Sequence, residues 1–259
     1  MSLTTGLNID LSGKRAIVTG ATGDLGRVMV LTLARAGADV AVHYGSNVKL
    51  AEKLVADITA LGRKSIAVQA DITDRASVFA MRDKVFAELG PIDIVCANAV
   101  IQYKWVNVLD QAEEDYEGQF RSCVLQNVLM AKAFIPSMIE RGGGRYIGTN
   151  TECAMQMFPN QSAYVSGKRG MDGVLRVLAK EIGSHAITVN QVAPGWMISA
   201  RDREAGTEYQ EGYCSKVPLG HRGEDQDIAN VVAFLASDLA KFISGAYIPV
   251  CGGNVMPCI

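Results

Sequence analysis

Short apolar runs separated by longer amphipathic stretches recur along the whole chain. The runs are 16–18, 39–42, 65–68, 92–95, 145–147, 187–189 and 247–250. They are rich in Val and Ile, and most do not alternate with polar residues, which suits strands buried on both faces. Between them, Leu50, Leu54, Val55, Ile58 and Leu61 recur at helical spacing within the stretch 49–61. Strands that alternate with helices imply right-handed βαβ units on a parallel sheet. The pattern predicts an α/β fold: one doubly wound domain spanning residues 1–259, about seven parallel strands with helices on both faces. Residues 196–217 break the rhythm. They are polar, carry Arg201, Arg203, Glu204, Tyr209 and Tyr213, and read as a substrate loop over the carboxyl edge of the sheet.

Composition narrows the partners. With 25 basic residues against 27 acidic ones there is no surplus for phosphate backbones, so nucleic acid is not expected. No run of about 18 apolar residues occurs, and Met1 to Asp10 has neither a basic start nor an apolar block. Neither a membrane span nor a signal peptide is therefore expected, and the expected location is cytoplasmic. The six cysteines (Cys96, Cys123, Cys153, Cys214, Cys251, Cys258) stand singly and should be reduced thiols. His43, His185 and His221 lack metal-ligand spacing, so no metal site is expected.

Chemistry enters at the first strand-to-helix turn, Thr19-Gly20-Ala21-Thr22-Gly23-Asp24-Leu25-Gly26. Glycines there let backbone N–H groups approach a pyrophosphate at a helix N-terminus, as in Rossmann-type dinucleotide sites; a plain tight turn is the other reading. Asp24 puts a carboxylate at that terminus, where it would cap the helix and repel a phosphate. The end of the second strand reads His43-Tyr44-Gly45-Ser46-Asn47, without the carboxylate that binds the ribose hydroxyls of NAD. That absence favours NADP over NAD, with Ser46 or Arg27 placed to help hold a 2′-phosphate. Further on, Tyr164 and Lys168 are four apart in the helical stretch 163–182, which sets an ammonium beside a phenol and should lower the phenol's pKa. A solvated helix face is the bland reading of the same pair.

Taken in order and over essentially the whole chain, these segments resemble the short-chain dehydrogenase/reductase family, nearest its 3-oxoacyl-(acyl-carrier-protein) reductase and sugar or polyol dehydrogenase branch. The family's Thr-Gly-x-x-x-Gly-x-Gly maps onto Thr19, Gly20, Asp24 and Gly26, with Thr22, Gly23 and Leu25 inside the turn and Asp24 in place of the middle glycine. The resemblance places Asp71 and Ile72 at the adenine. It puts Tyr44 at the end of the second strand, Asn98-Ala99 in the turn after the fourth, and Pro194-Gly195 against the nicotinamide. It implies Tyr164 as general acid/base, Lys168 on the ribose and lowering the tyrosine pKa, and Thr151 in the place of a carbonyl-polarising serine. Cys123 takes the place of an asparagine that supports a proton relay, and Asn127, one turn later, is not expected to make up for it. Ala97, Val100 and Cys251, the last before Gly252-Gly253, depart from the pattern as well. The implied activity is hydride transfer between NADP or NAD and a small-molecule carbonyl or alcohol. A tetrameric homo-oligomer is implied too. The departures leave a second reading, a protein of this fold with weakened or lost catalysis that serves in binding or regulation.

Overall fold

The computed structural model describes residues 8–257, so Cys258 and most of the first ten residues lie outside it. Seven strands form one sheet: β1 (Arg15–Val18), β2 (Asp39–Tyr44), β3 (Ser65–Gln69), β4 (Ile94–Ala97), β5 (Gly144–Thr149), β6 (Ile187–Pro194) and β7 (Tyr247–Val250). Their order is 3-2-1-4-5-6-7, and each neighbouring pair is parallel. Every apolar run meets a strand, although the fourth begins at Ile94 rather than Ile92. After β3 the chain crosses to the far side of β1, and this reversal opens a crevice beyond the carboxyl ends of β1 and β4.

Both faces of the sheet are covered. Helices α1 (Asp24–Arg35) and α2 (Val48–Ala60) lie on one side, and α3 (Arg75–Glu88) on the other. The second side is completed by α4 (Glu113–Gln119) and α5 (Gln126–Glu140), which a π-turn over Phe120–Leu125 joins into one helix. After β5 come the short α6 (Cys153–Gln156) and the long α7 (Ser162–Ile182), and after β6 come α8 (Ala200–Ala205), α9 (Glu211–Cys214) and α10 (Asp225–Ala236). Alternate strand residues feed two separate cores. Ala16 and Val18 pack with Met29, Leu33, Ile58 and Val232, while Ile17 packs with Met81, Phe134, Met138 and Leu175. That division is why the strand runs are unbroken by polar residues. The joined helix Glu113–Glu140 is long and apolar enough to cross a bilayer, yet it is mostly buried, with Met130, Phe134 and Met138 wholly inside the core.

Glycines set how closely α7 approaches the rest of the molecule. A Cβ on Gly167 would come within 2.9 Å of the Gln119 carbonyl oxygen, and one on Gly170 within 2.8 Å of Val124. The helix that carries Tyr164 and Lys168 is thereby seated directly on the π-turn.

Candidate active site

A cleft of about 970 Å³ runs along the carboxyl edge of the sheet, from Asp71 at one end to Tyr164 and Trp196 at the other. Its centre is the turn after β1. Gly20 has φ +63°, and a Cβ there would stand 3.0 Å from Cα of Ala99, so the two loops touch only because the residue is glycine. Gly26 is more constrained: a Cβ would lie 2.8 Å from Cα of Ala21 and be driven into the Gly20 carbonyl oxygen.

Helix α1 starts after Gly23, and no side chain caps it. Asp24 does not act as the expected cap. It occupies the first helical position, where its carboxylate pairs with Arg27 at 2.9 Å instead of bonding to the turn. The first N–H groups of α1 therefore face the cleft without intrahelical partners, beside Gly23 and Leu25. A dinucleotide pyrophosphate fits this cradle, although the Asp24 carboxylate stands at its edge. Arg27, held by Asp24 and 4.0 Å from Asp225, does not line the cleft, and neither does Ser46; the expectation that either would grip a 2′-phosphate is not met by the geometry.

The turn is braced by residues that sequence reasoning passed over. His43, buried at the end of β2, accepts a hydrogen bond from the Gly20 N–H through Nδ1 (2.9 Å), and its Nε2 lies 3.1 Å from the Ala70 carbonyl. Burial drives its pKa down to about 4, so the ring is neutral, with the proton on Nε2 facing the carbonyl. Thr19 Oγ1 donates to Gln126 Oε1 (2.7 Å) and accepts from the N–H groups of Asn98 and Ala99. Gln126 Nε2 in turn donates to the Ala99 carbonyl (2.8 Å). The Asn98 side chain donates to the Thr19 carbonyl (3.1 Å), so Asn98-Ala99 and Thr19-Gly20 form one unit.

At the other end, Lys168 Nζ donates to the Thr149 carbonyl (2.6 Å) and lies 5.7 Å from the centroid of the Tyr164 ring. The Tyr164 N–H, in the first turn of α7, donates to Tyr103 Oη, and Trp105 stacks on the Tyr164 ring with centroids 5.7 Å apart. Thr151 Oγ1 accepts from the Cys153 N–H (3.2 Å) and faces the Tyr164 phenol. Burial pushes the phenol's pKa up, aided by nearby Cys153 and Cys123 and opposed by Thr151. Burial likewise disfavours the Lys168 ammonium. Burial, the largest cause of the shift at Tyr164, acts against the lowering expected from Lys168.

Of the sequence candidates, Gly20, Gly23, Asp24, Leu25, Asp71, Ile72, Asn98, Ala99, Thr151, Tyr164, Lys168, Pro194 and Gly195 line the cleft. Thr22, Gly26, Tyr44 and Cys123 do not. Cys123 sits in the π-turn, with its thiol donating to Gln119 Oε1 at 3.6 Å. Asn127 does not substitute for it: its amide donates to the Cys123 carbonyl, and its oxygen accepts from Tyr146 Oη. His43, Gly45, Gln69 and the loop residues Ile101, Gln102 and Trp196 are among the further lining residues. Arg201 and Ser199 reach it from the 196–217 stretch.

Comparison with known proteins agrees with this geometry. A profile of the family described as Enoyl-(Acyl carrier protein) reductase matches residues 20–254. The chain is 36% identical over 253 residues to the 3-oxoacyl-(acyl-carrier-protein) reductase FabG of Staphylococcus aureus, covering 94% of this chain and 98% of that protein. A solved 7α-hydroxysteroid dehydrogenase, complexed with NADH and 7-oxo glycochenodeoxycholic acid, superposes with a TM-score of 0.87 at 30% identity, covering 96% of this chain and 97% of the other. A blue fluorescent protein from a metagenomic library, in complex with NADPH, superposes with a TM-score of 0.88 at 31% identity, covering 95% and 100%.

Proposed function

The chain belongs to the short-chain dehydrogenase/reductase family, and from that footing we propose how its own residues carry the reaction. It is an NAD(P)-dependent oxidoreductase that interconverts a carbonyl and a secondary alcohol. One observation carries the assignment of roles: Tyr164, Thr151 and Lys168 converge at one end of a cleft whose middle is the uncapped N-terminus of α1. When bound, the nicotinamide dinucleotide supplies or accepts the hydride. Gly20, Gly23 and Leu25 would hold its pyrophosphate, Asp71 and Ile72 its adenine end, and Asn98, Ala99, Pro194 and Gly195 its nicotinamide end.

Burial favours the protonated phenol of Tyr164, which would give its proton to a carbonyl oxygen in reduction and take one back in the reverse reaction. The Thr151 hydroxyl, facing the same phenol, orients that oxygen. Lys168, anchored on Thr149 with its ammonium 5.7 Å from the Tyr164 ring centroid, would hold the ribose. Cys123, which bonds to Gln119 within the π-turn and does not line the cleft, is given no proton-transfer role in this scheme. We assign NADP ahead of NAD, because the lining at the end of β2 consists of His43 and Gly45 with no carboxylate to repel a 2′-phosphate. The stretch 196–217, which contributes Trp196, Ser199 and Arg201 to the lining, serves as the substrate loop within a single domain.

The assembly proposed is a homo-oligomer, a tetramer by family precedent. Its support is an apolar groove of about 600 Å³ between α5 and α7, lined by Val128, Ala131, Ile135, Val174, Val177 and Leu178. The five described cysteines are free thiols, which suits the reducing cytoplasm.

Fluorescence titration with NADPH and NADH tests the reading. NADPH should bind below millimolar concentration and more tightly than NADH. Tyr164→Phe should keep that binding while carbonyl turnover falls by about 10²–10⁴-fold. Binding of neither dinucleotide would overturn the assignment in favour of a regulatory or binding role for the fold.

A further inference from the structure

We infer that Glu152 is a positioning residue, a buried latch that holds the substrate loop and the C-terminal segment over the catalytic turn. The inference rests on the cleft being the catalytic site, and it concerns a residue that contacts no reacting atom. Glu152 directly follows Thr151 and is 3% exposed. Its Oε1 accepts from Tyr213 Oη in α9 (2.8 Å), and its Oε2 accepts from Asn254 Nδ2 after β7 (3.0 Å). Its backbone N–H donates to the Pro194 carbonyl at the end of β6 (2.9 Å). Three segments far apart in sequence therefore meet on one residue, two of them on its side chain.

The contacts lead on to the cleft wall. Tyr213 Oη, while donating to Glu152, accepts from the Trp196 N–H (2.8 Å), and its ring meets the Trp196 ring edge to face with centroids 5.6 Å apart. On Trp196 the Arg222 guanidinium lies 4.5 Å from the ring centroid, and its Nε donates to the Trp196 carbonyl. Gly195 completes the fit, since a Cβ there would stand 2.6 Å from Tyr213 Oη. The glycine beside the nicotinamide end is thus also required by the latch.

The chemistry suits a latch rather than a filler. A carboxyl group with two oxygens meets both donors at once, whereas an apolar residue of similar size would leave a half-buried phenol and carboxamide without these acceptors. No cation pairs with Glu152 among the described residues, so the side-chain partners of its carboxyl group are Tyr213 and Asn254. Burial raises its pKa, and the hydrogen bonds from Tyr213, Asn254 and the Trp196 backbone oppose the rise.

The chain has two tryptophans, so Trp105→Phe leaves Trp196 as the sole reporter. In that background, without cofactor or substrate, Glu152→Ala and Tyr213→Phe should each red-shift Trp196 emission and raise its acrylamide quenching constant at least twofold. Glu152→Gln, which keeps an acceptor for Tyr213, should stay within about a third of the parent value. On the wild-type background the same two variants should raise KM for the carbonyl at least tenfold, change kcat less than threefold, and leave the NADPH Kd within twofold. Trp196 signals that stay at the parent level in Tyr213→Phe, the milder change, overturn the latch whether or not Glu152→Ala folds. A latch that reports as expected in a protein that turns over no carbonyl leaves the latch standing and overturns the catalytic reading instead.

Discussion

His43 commits both ring nitrogens to backbone, one accepting from the glycine turn and the other donating to the end of β3. Its cost is a pH dependence whose sign is fixed. The folded pKa of about 4 lies below the ordinary value of 6.5, so above pH 6.5 the ring is neutral in both states and makes no contribution. Between pH 6.5 and 4 the unfolded chain binds a proton that the folded chain refuses, and stability falls as pH falls, by up to about 3 kcal/mol. Below pH 4 the loss levels off. His43→Asn should therefore flatten the decline in melting temperature between pH 6.5 and 4, read from melts at several pH values, whereas an unchanged slope would assign the acid sensitivity elsewhere. At the same scale, Thr151→Ser keeps the hydroxyl and removes one methyl from a residue that is 6% exposed. It should retain turnover within about tenfold, while Thr151→Val should lose about 10²-fold or more in kcat, because the oxygen that orients the carbonyl is gone.

One element, the turn from β1 into α1, shows what could and could not be read in the chain. Gly20 and Gly26 were legible as motif positions, and the close approaches of their missing Cβ atoms supply the reason. Gly26→Ala should cost about 1–3 kcal/mol in a urea melt, since the added carbon meets backbone rather than a side chain that can swing away. Asp24 was legible as a departure but not in its consequence: only the fold shows that it sits at the first helical position and pairs with Arg27. Asp24→Asn removes a charge favourable to α1 and unfavourable to a phosphate. It should lower stability by about 0.3–1 kcal/mol and tighten NADPH roughly fivefold, an effect that shrinks as salt is raised. His43, Gln126 and Glu152 stayed hidden because their partners lie far away in the chain, Gln126 meeting Thr19 across 107 positions and Glu152 meeting Asn254 across 102. No local spacing announces such pairs. The Tyr164–Lys168 spacing did announce itself, yet the direction of the phenol's pKa depends on burial that no spacing encodes.

Across the whole molecule, the alternating pattern determined a doubly wound sheet almost strand for strand, because a parallel sheet buried on both faces writes itself as short apolar runs. Helix α7 has two faces in use. One stripe, at spacings of four, three and four, carries Tyr164 and Lys168 to the cleft and then Met171 and Leu175 to the sheet. The flank beside it presents Val174, Val177 and Leu178 beside Val128 and Ile135 of α5, with Val177 56% exposed. Lys132 and Glu181 rim this groove with opposite charges, which lets the same surface meet its own copy about a two-fold axis. Val177→Glu would set a carboxylate in the middle of that contact and beside the Glu181 of the same helix. Sedimentation velocity should show the wild-type chain as an oligomer at micromolar concentration and the variant at a smaller mass, with NADPH affinity within about twofold because the groove lies away from the cleft. A wild-type chain that sediments as a monomer would leave the groove exposed in solution and remove the proposed assembly, while the cleft chemistry, built wholly within one chain, would stand.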